Sequence, residues 1–317
     1  MKLLVTGGAG FIGSHLTEAL LARGDEVVVL DNFDDYYNPE RKRRNLRAAR
    51  ENPGFRLVEG DIRDRFVVEG ILRRDVPEAV VHLAARAGVR PSIQRPQLYT
   101  SVNVDGTTVL LEACREMKVP RLLFASSSSV YGASERIPFR EDDPVDRPVS
   151  PYAATKRAGE LLGYAFSHLH GLHVTCLRYF TVYGPRQRPE MAIHQFVDRV
   201  LHDEPVPLYG DGSSKRDYTY VEDAVEATLL ALGAMKGFRI FNVGGSRPVE
   251  LRELVAAIGR ATGREPRVQA LPDQPGDVPA TWADTGRAQQ ELRWRPRVEL
   301  EEGLRRFVAW HREHGSL

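Results

Sequence analysis

Lys2-Leu3-Leu4-Val5-Thr6 is a short apolar segment that runs directly into Gly7-Gly8-Ala9-Gly10-Phe11-Ile12-Gly13. Apolar residues then recur at helical spacing (Ile12, Leu16, Ala19, Leu20) until Gly24, and a second apolar run, Glu26 to Leu30, delivers Asp31. Few folds accept a strand, a glycine turn, a helix, a strand and an acid in that order. This is the unit that binds a dinucleotide at the end of a parallel sheet. The glycines permit the tight turn and let backbone amides approach a pyrophosphate at a helix N-terminus. Gly7, Gly10, Phe11, Ile12 and Gly13 are therefore candidate cofactor contacts. Asp31 is placed to accept hydrogen bonds from the adenosine ribose, and an acid there repels a 2′-phosphate, which favours NAD over NADP.

Strand and helix signals keep alternating beyond Asp31. Asn32 opens a polar, aromatic loop to Glu40 and joins the cofactor set; the strand from Phe55 ends at Gly60-Asp61-Ile62, where Asp61 and Ile62 are placed to meet the adenine. Further strands are expected at 79–83, 121–125 and 173–178, with helices near 66–74, 97–117 and 150–170. Continuous apolar strands separated by helices imply a parallel sheet covered on both faces. The sequence thus predicts an α/β, doubly wound (Rossmann) domain over 1–183. A smaller C-terminal α/β substrate lobe is expected over 184–317, with some of its segments returning to the first domain. In that lobe the patterning places helices near 191–203, 221–235, 249–262 and 300–314, and strands near 206–209, 239–243 and 266–270.

Composition excludes several classes of function. The 317 residues carry a net charge of +1, with 27% charged and 42% apolar side chains, so nothing calls for nucleic acid or an anionic membrane. The basic run Arg41-Lys42-Arg43-Arg44 sits among acids and aromatics and reads as a solvated face. Cys114 and Cys176 form neither a disulfide framework nor a metal spacing, and read as buried thiols of a reducing compartment. No apolar run approaches the ~18 residues that span a bilayer. Strand character from Lys2 leaves no room for a leader, so the expected location is cytoplasmic. No metal is expected, and the histidines, His82, His168 and His173 among them, read as structural.

Chemistry is carried by Ser150-Pro151-Tyr152-Ala153-Ala154-Thr155-Lys156. Ser150 suits a helix N-cap and Pro151 the first helical position. Spacing i,i+4 puts the Tyr152 phenol and the Lys156 ammonium on one face. A cation within ~4–6 Å favours the phenolate, which lowers a tyrosine pKa from ~10 toward working pH and suits Tyr152 to moving a proton on or off an alcohol. The serine cluster Ser126-Ser127-Ser128-Ser129-Val130-Tyr131-Gly132 lies at a strand's C-terminal end, where doubly wound sheets bind ligands. Ser127, Tyr152 and Lys156 are the candidate catalytic triad.

With these motifs the chain resembles the extended short-chain dehydrogenase/reductases, specifically the nucleotide-sugar 4-epimerases. The resemblance covers essentially the whole chain and rests on the glycine motif, His82-Leu83-Ala84-Ala85, the serine cluster, Tyr152/Lys156 and Arg216-Asp217-Tyr218-Thr219-Tyr220-Val221. It implies bound NAD contacted also by Leu83, Ala84, Ala85, Asn103 and Tyr179, with Tyr152 and Lys156 shared between cofactor and catalysis. It implies a UDP-sugar held by Arg216, Tyr218 and Asp277. The implied reaction is transient oxidation at the sugar C4, rotation of the 4-keto sugar and return of hydride to its other face. Related dehydratases and decarboxylases carry acids after the catalytic hydroxyl, where this chain has Ser128 and Ser129; that difference argues for epimerisation.

Four stretches resemble the branch acting on UDP-glucuronate: Asp31 to Pro39, Ala87-Gly88-Val89-Arg90, Thr181 to Ala192, and Gln274-Pro275-Gly276-Asp277-Val278. They add Arg90 to the expected substrate contacts. A C6 carboxylate wants hydroxyl donors, which Ser128, Ser129 and Thr181 offer, and Arg186 adds a guanidinium for the carboxylate or the diphosphate. Arg86 departs from the branch, where glutamine is common. The alternatives are a UDP-glucose or UDP-N-acetylglucosamine 4-epimerase, and a non-catalytic NAD sensor. The resemblance also implies a homodimer through the helices bearing 97–117 and 150–170.

Overall fold

Side chains alternate across a strand, so a sheet covered by helices on both sides needs near-continuous apolar runs. In β1 (Lys2–Thr6) Leu3 and Val5 join one hydrophobic cluster and Leu4 the other. β2 (Glu26–Asp31) divides likewise into Val27 and Val29 against Val28 and Leu30. With β3 (Phe55–Glu59), β4 (Ala79–His82), β5 (Arg121–Ser127) and β6 (His173–Tyr179) these strands belong to one sheet. The remaining strands are β7 (Thr181–Tyr183), β8 (Val206–Tyr209), β9 (Lys215–Tyr220), β10 (Phe238–Val243), β11 (Pro248–Glu250) and β12 (Val268–Leu271).

The computed structural model describes residues 1–272 and 278–315. Its central sheet has seven strands in the order β10-β6-β5-β4-β1-β2-β3, every neighbouring pair parallel. The doubly wound α/β expectation holds, and the chain reverses its direction of travel across the sheet between β1 and β4. The edge strand β10 comes from the C-terminal third and pairs with β6 from Phe238↔Val174 to Val243↔Tyr179. Smaller sheets, β11-β9-β7 and β12-β8, carry the rest.

The helices are α1 (Phe11–Ala22), α2 (Pro39–Asn45), α3 (Arg47–Arg50), α4 (Arg65–Asp75), α5 (Val89–Gln94), α6 (Pro96–Thr100), α7 (Gly106–Glu116), α8 (Pro151–His170), α9 (Ala192–Leu201), α10 (Val221–Gly233), α11 (Leu251–Thr262), α12 (Gly286–Glu291) and α13 (Leu300–His314). The second-lobe expectations fall on α9, α10, α11, α13, β8, β10 and β12. α8 begins as its sequence requires: Ser150 Oγ accepts the Ala153 amide at 3.1 Å, Pro151 takes the first position, and the helix ends at Gly171 with φ +69°.

The helix expected at 97–117 is not uniform. α6 and α7 are joined by a π-helical turn, Ser101–Asp105, with Asn103 inside it. Such turns add a residue to the helical spacing and re-aim one side chain. Cys114 and Cys176 are both free and buried, on the same side of the sheet. Among the described residues no helix is long and apolar enough to cross a membrane, and no group of His, Cys, Asp and Glu is arranged to hold a metal.

Candidate active site

A cavity of about 480 Å³ opens at the C-terminal ends of the central strands, over the reversal point between β1 and β4. Ligands of open parallel sheets occupy this crevice. Gly7, Gly10, Phe11, Ile12 and Gly13 form one wall. The turn tolerates no side chain at two of these positions. Gly7 has φ +71° and an added Cβ would lie 2.6 Å from the Ala84 nitrogen, while one on Gly13 would lie 2.2 Å from the Gly7 oxygen. At Gly10 an added Cβ would meet, among the described residues, only the Gly7 oxygen at 3.2 Å, so a side chain there would grow into the cavity. That bare backbone at the start of α1 fits a dinucleotide pyrophosphate.

Asp31, Asn32, Asp61 and Ile62 line the cavity on the β2–β3 side. The Asp31 carboxylate accepts the Ala9 amide at 3.0 Å and the Phe33 amide at 2.9 Å. Burial nevertheless holds its carboxyl above the usual range. Each oxygen keeps a lone pair beyond its one amide, so the group can still receive ribose hydroxyls. Asn32 Nδ2 donates to Asp61 Oδ2 at 3.1 Å, and hydrogen bonding from Arg63 brings Asp61 down to about 2. Leu83, Ala84 and Ala85 continue the wall past β4.

Ser127, Tyr152, Lys156 and Tyr179 meet at the other end, with Ser128, Ser129 and Thr181 beside them. Ser127 caps a short 3₁₀ turn, Ser128–Tyr131, by accepting the Ser129 amide at 3.2 Å. Lys156 is buried, donates to the Ala125 carbonyl at 2.7 Å, and lies 5.1 Å from the centre of the Phe124 ring. Burial lowers it to about 8. The phenol differs from the electrostatic expectation. Burial raises Tyr152 above its ordinary value, and a hydrogen bond with Ser127 and the charge of Arg188 pull it only partway back. Desolvation outweighs both, and the Lys156 ammonium is committed to the Ala125 carbonyl. His82 is held between Thr6 Oγ1, at 2.8 Å, and Thr107 Oγ1, at 3.0 Å, beneath the cavity.

Several expected contacts lie elsewhere. Asn103 is buried behind the wall, where its Oδ1 accepts the Arg86 amide at 2.8 Å and its Nδ2 donates to the Arg86 carbonyl at 2.9 Å and to Thr155 Oγ1 at 3.0 Å. It braces the β4 loop against α8 rather than facing the cavity. Arg186 has φ +67°, and its guanidinium reaches Glu18 on α1 at 2.8 Å instead of entering the site. Arg90 stacks over Tyr209, 5.6 Å from the ring centre. Arg216 donates to the Lys215 carbonyl at 2.8 Å; Tyr218 pairs with Thr181 across β9 and β7, its phenol pushed up to about 12 by burial. Asp277 and Gln274 lie outside the described residues.

Other side chains line the cavity without having been named as site residues, among them Asp34, Tyr36, Tyr37, Arg188 and Met191; Arg86, noted as a departure, joins them, and Lys42, expected on a solvated face, is instead buried in the lining and donates to the Asp34 carbonyl. Their signal was present in the aromatic loop after Asp31 and in the segment after Thr181, but not which of their side chains turn inward.

The sequence pattern of the NAD dependent epimerase/dehydratase family matches residues 3–244. A UDP-glucuronate 4-epimerase of Thermodesulfobacterium geofontis is 40% identical over 99% of this chain and 97% of its own length. The Bacillus cereus UDP-glucuronic acid 4-epimerase, solved with UDP-glucuronic acid and NAD, superposes with a TM-score of 0.93 at 36% identity over 99% of both chains. The UDP-glucose 4-epimerase of Thermus thermophilus, solved with NAD, gives 0.90 at 40% identity over the full length of both. With the glycine cradle, Asp31 and the Ser127, Tyr152 and Lys156 side chains all on one crevice, the chain belongs to the NAD dependent epimerase/dehydratase family.

Proposed function

We propose that this chain is a UDP-glucuronate 4-epimerase that interconverts UDP-glucuronate and UDP-galacturonate through a 4-keto sugar, with NAD as its resident cofactor. One observation carries the reading: among the described residues, the Tyr152 end of the cavity offers hydroxyls and no carboxylate. The acids that line the cavity, Asp31, Asp34 and Asp61, all come from the β2 and β3 side. A neighbouring acid would assist elimination of water or loss of carbon dioxide; Ser128, Ser129 and Thr181 cannot act so near neutrality, but they can donate to a C6 carboxylate.

NAD, when bound along Gly7–Gly13, Asp31 and Leu83–Ala85, supplies the hydride acceptor and donor. Tyr152 exchanges a proton with the sugar O4, which requires the positive charges of Lys156 and of bound NAD to offset the burial that raises the phenol; the Ser127 hydroxyl shares the hydrogen bond to that oxygen. Lys156, fixed on Ala125 one helical turn from Tyr152, is proposed to supply positive charge to the site. Neutral donors around the C6 group suit an intermediate that must turn, because they hold it without a locking ion pair. The likeness to the Thermus enzyme favours UDP-glucose as the second candidate substrate.

The lobe formed largely by residues 184–317 is assigned to the UDP-sugar, with Arg186, Arg216 and Tyr218 from the lobe and Arg90 from α5 as proposed contacts; the same assignment is kept for Asp277, outside the described residues. A homodimer through α7 and α8 is supported by Leu161, Tyr164 and Leu169, which α8 leaves 53%, 55% and 69% exposed. A reducing, cytoplasmic setting suits two buried thiols, of which Cys114 is pushed up to about 12 by burial.

Purified protein incubated with UDP-glucuronate, without added reductant, should yield UDP-galacturonate by proton NMR. Conversion of UDP-glucose to UDP-galactose alone would retain the chemistry and overturn the carboxylate assignment. Ser128→Ala and Thr181→Ala should each erode the preference for glucuronate over glucose.

A further inference from the structure

The loops that follow β4 and β2 are joined above the cavity. Arg86 Nη2 meets Asp34 Oδ2 at 2.8 Å, with side-chain exposures of 10% and 28%. In the sheet, β1 lies between β4 and β2. Neighbouring strands are about 4.8 Å apart, so these two loops leave the sheet roughly 10 Å from each other. The ion pair therefore bridges the crevice over the end of β1, where the glycine turn begins.

Both ends of the bridge are anchored. Arg86 is held through its own backbone, whose amide and carbonyl are both taken by the Asn103 side chain. Asp34 Oδ1 accepts the Tyr36 amide at 2.8 Å, and the Asp34 carbonyl accepts Lys42 Nζ at 2.7 Å. Tyr36 adds a third support: the Arg86 guanidinium lies 5.5 Å from its ring centre and that of Arg188, from the loop after β7, lies 5.7 Å away. Two cations on one aromatic ring tie three loops together across the cavity.

We propose that Arg86 and Asp34 form a clasp that retains NAD. The inference rests on the NAD-binding reading. A dinucleotide held by Asp31 at one end and reaching Tyr152 at the other spans from the β2 side to the β5 side of the sheet. Its middle passes beneath the bridge, and it leaves the crevice only when a largely buried ion pair opens. Breaking one partner of such a pair acts mainly on the rate of escape. A cofactor that is regenerated in every turnover has no need to leave, so slow release carries no penalty in rate.

Exchange of bound NAD tests the clasp directly. Holoprotein is mixed with excess isotopically labelled NAD, and incorporation is followed by mass spectrometry after rapid gel filtration. Arg86→Gln and Asp34→Asn should each exchange at least about tenfold faster than the parent protein, and the double variant no faster than the quicker single. Asp34→Asn keeps the oxygen that accepts the Tyr36 amide, so it carries the test if Arg86→Gln does not fold. Parent-like exchange in Asp34→Asn overturns the clasp; if Arg86→Gln alone is fast, Arg86 acts on the phosphates directly. A parent protein that takes up no NAD overturns the cofactor reading, and the clasp with it.

Discussion

Glu160 and Arg178 face each other through two parallel hydrogen bonds, Nε to Oε1 at 2.8 Å and Nη2 to Oε2 at 2.9 Å, with neither side chain more than 1% exposed. Ser126 Oγ donates to the same carboxylate at 2.6 Å, and Arg178 Nη1 donates to the Tyr131 hydroxyl at 3.0 Å. Burial pushes the Glu160 carboxyl up, but Arg178, Ser126 and Arg157 together leave it below its usual range. Glu160 sits one turn beyond Lys156 on α8, and Ser126 adjoins Ser127. The pair thus fixes the helix that carries Tyr152 and Lys156 against the serine segment.

Glu160→Gln leaves the Arg178 guanidinium buried without its counter-charge. Such a loss costs about 3–5 kcal/mol. Urea unfolding should show a correspondingly lower midpoint; an unchanged one would remove this pair from the account of the fold.

Tyr152→Phe removes the hydroxyl proposed to move the proton and little else, because the ring still packs edge-on to Tyr99 at 6.3 Å between centres. Turnover of UDP-glucuronate should fall by about 10²- to 10⁴-fold while bound NAD is retained. Retained turnover would show that another group moves the proton.

Gly13→Ala places a methyl 2.2 Å from the Gly7 oxygen, so α1 must shift away from the turn. We expect a stability loss of about 1–3 kcal/mol and protein that purifies without NAD, read from cofactor release after acid treatment. A fully loaded variant would contradict the close approach.

Lys156 gives up its proton at about 8 in the folded protein against 10.5 ordinarily. Between those values the unfolded chain binds more protons, so stability rises with pH there. The burial cost is full below about 8. Relative to Lys156→Met, the parent protein should gain up to about 3 kcal/mol between pH 8 and 10.5, measured on cofactor-free protein. A flat difference would mean that the buried ammonium titrates normally.

His82 has the same sign in a lower window. Burial, then the charge of Lys156, lowers it to about 3. The unfolded chain takes a proton near 6.5 that the folded one refuses, so stability drains away as pH falls through that range. His82→Gln should flatten the acid limb of the melting curve; an unaltered limb assigns the loss to other groups.

What the sequence made legible was local. Ser150 and Pro151 open α8 through a cap that needs only its neighbours, and Asp31 follows from strand length. Arg186 and Arg188 show where such reading stops. The left-handed backbone at Arg186 sends its guanidinium to Glu18, whereas Arg188 enters the cavity, and no periodic pattern announces that reversal. Asn103 was expected at the cofactor through the resemblance alone, and its bracing contacts were not legible, because its direction depends on a π turn set by packing against α8 and the β4 loop. Arg86, visible as a departure, acquires meaning only from Asp34 across the sheet.

The placement of β10 at the sheet edge has a consequence for how the chain can be divided and made. A fragment cut after residue 183 would expose the whole β6 flank, from Val174 to Tyr179, as unpaired amides and carbonyls. Such a rim invites pairing with another copy of itself. Residues 1–183 are therefore not a transplantable module. During synthesis its rim stays open until some sixty further residues have been added and Phe238–Val243 arrives to close it.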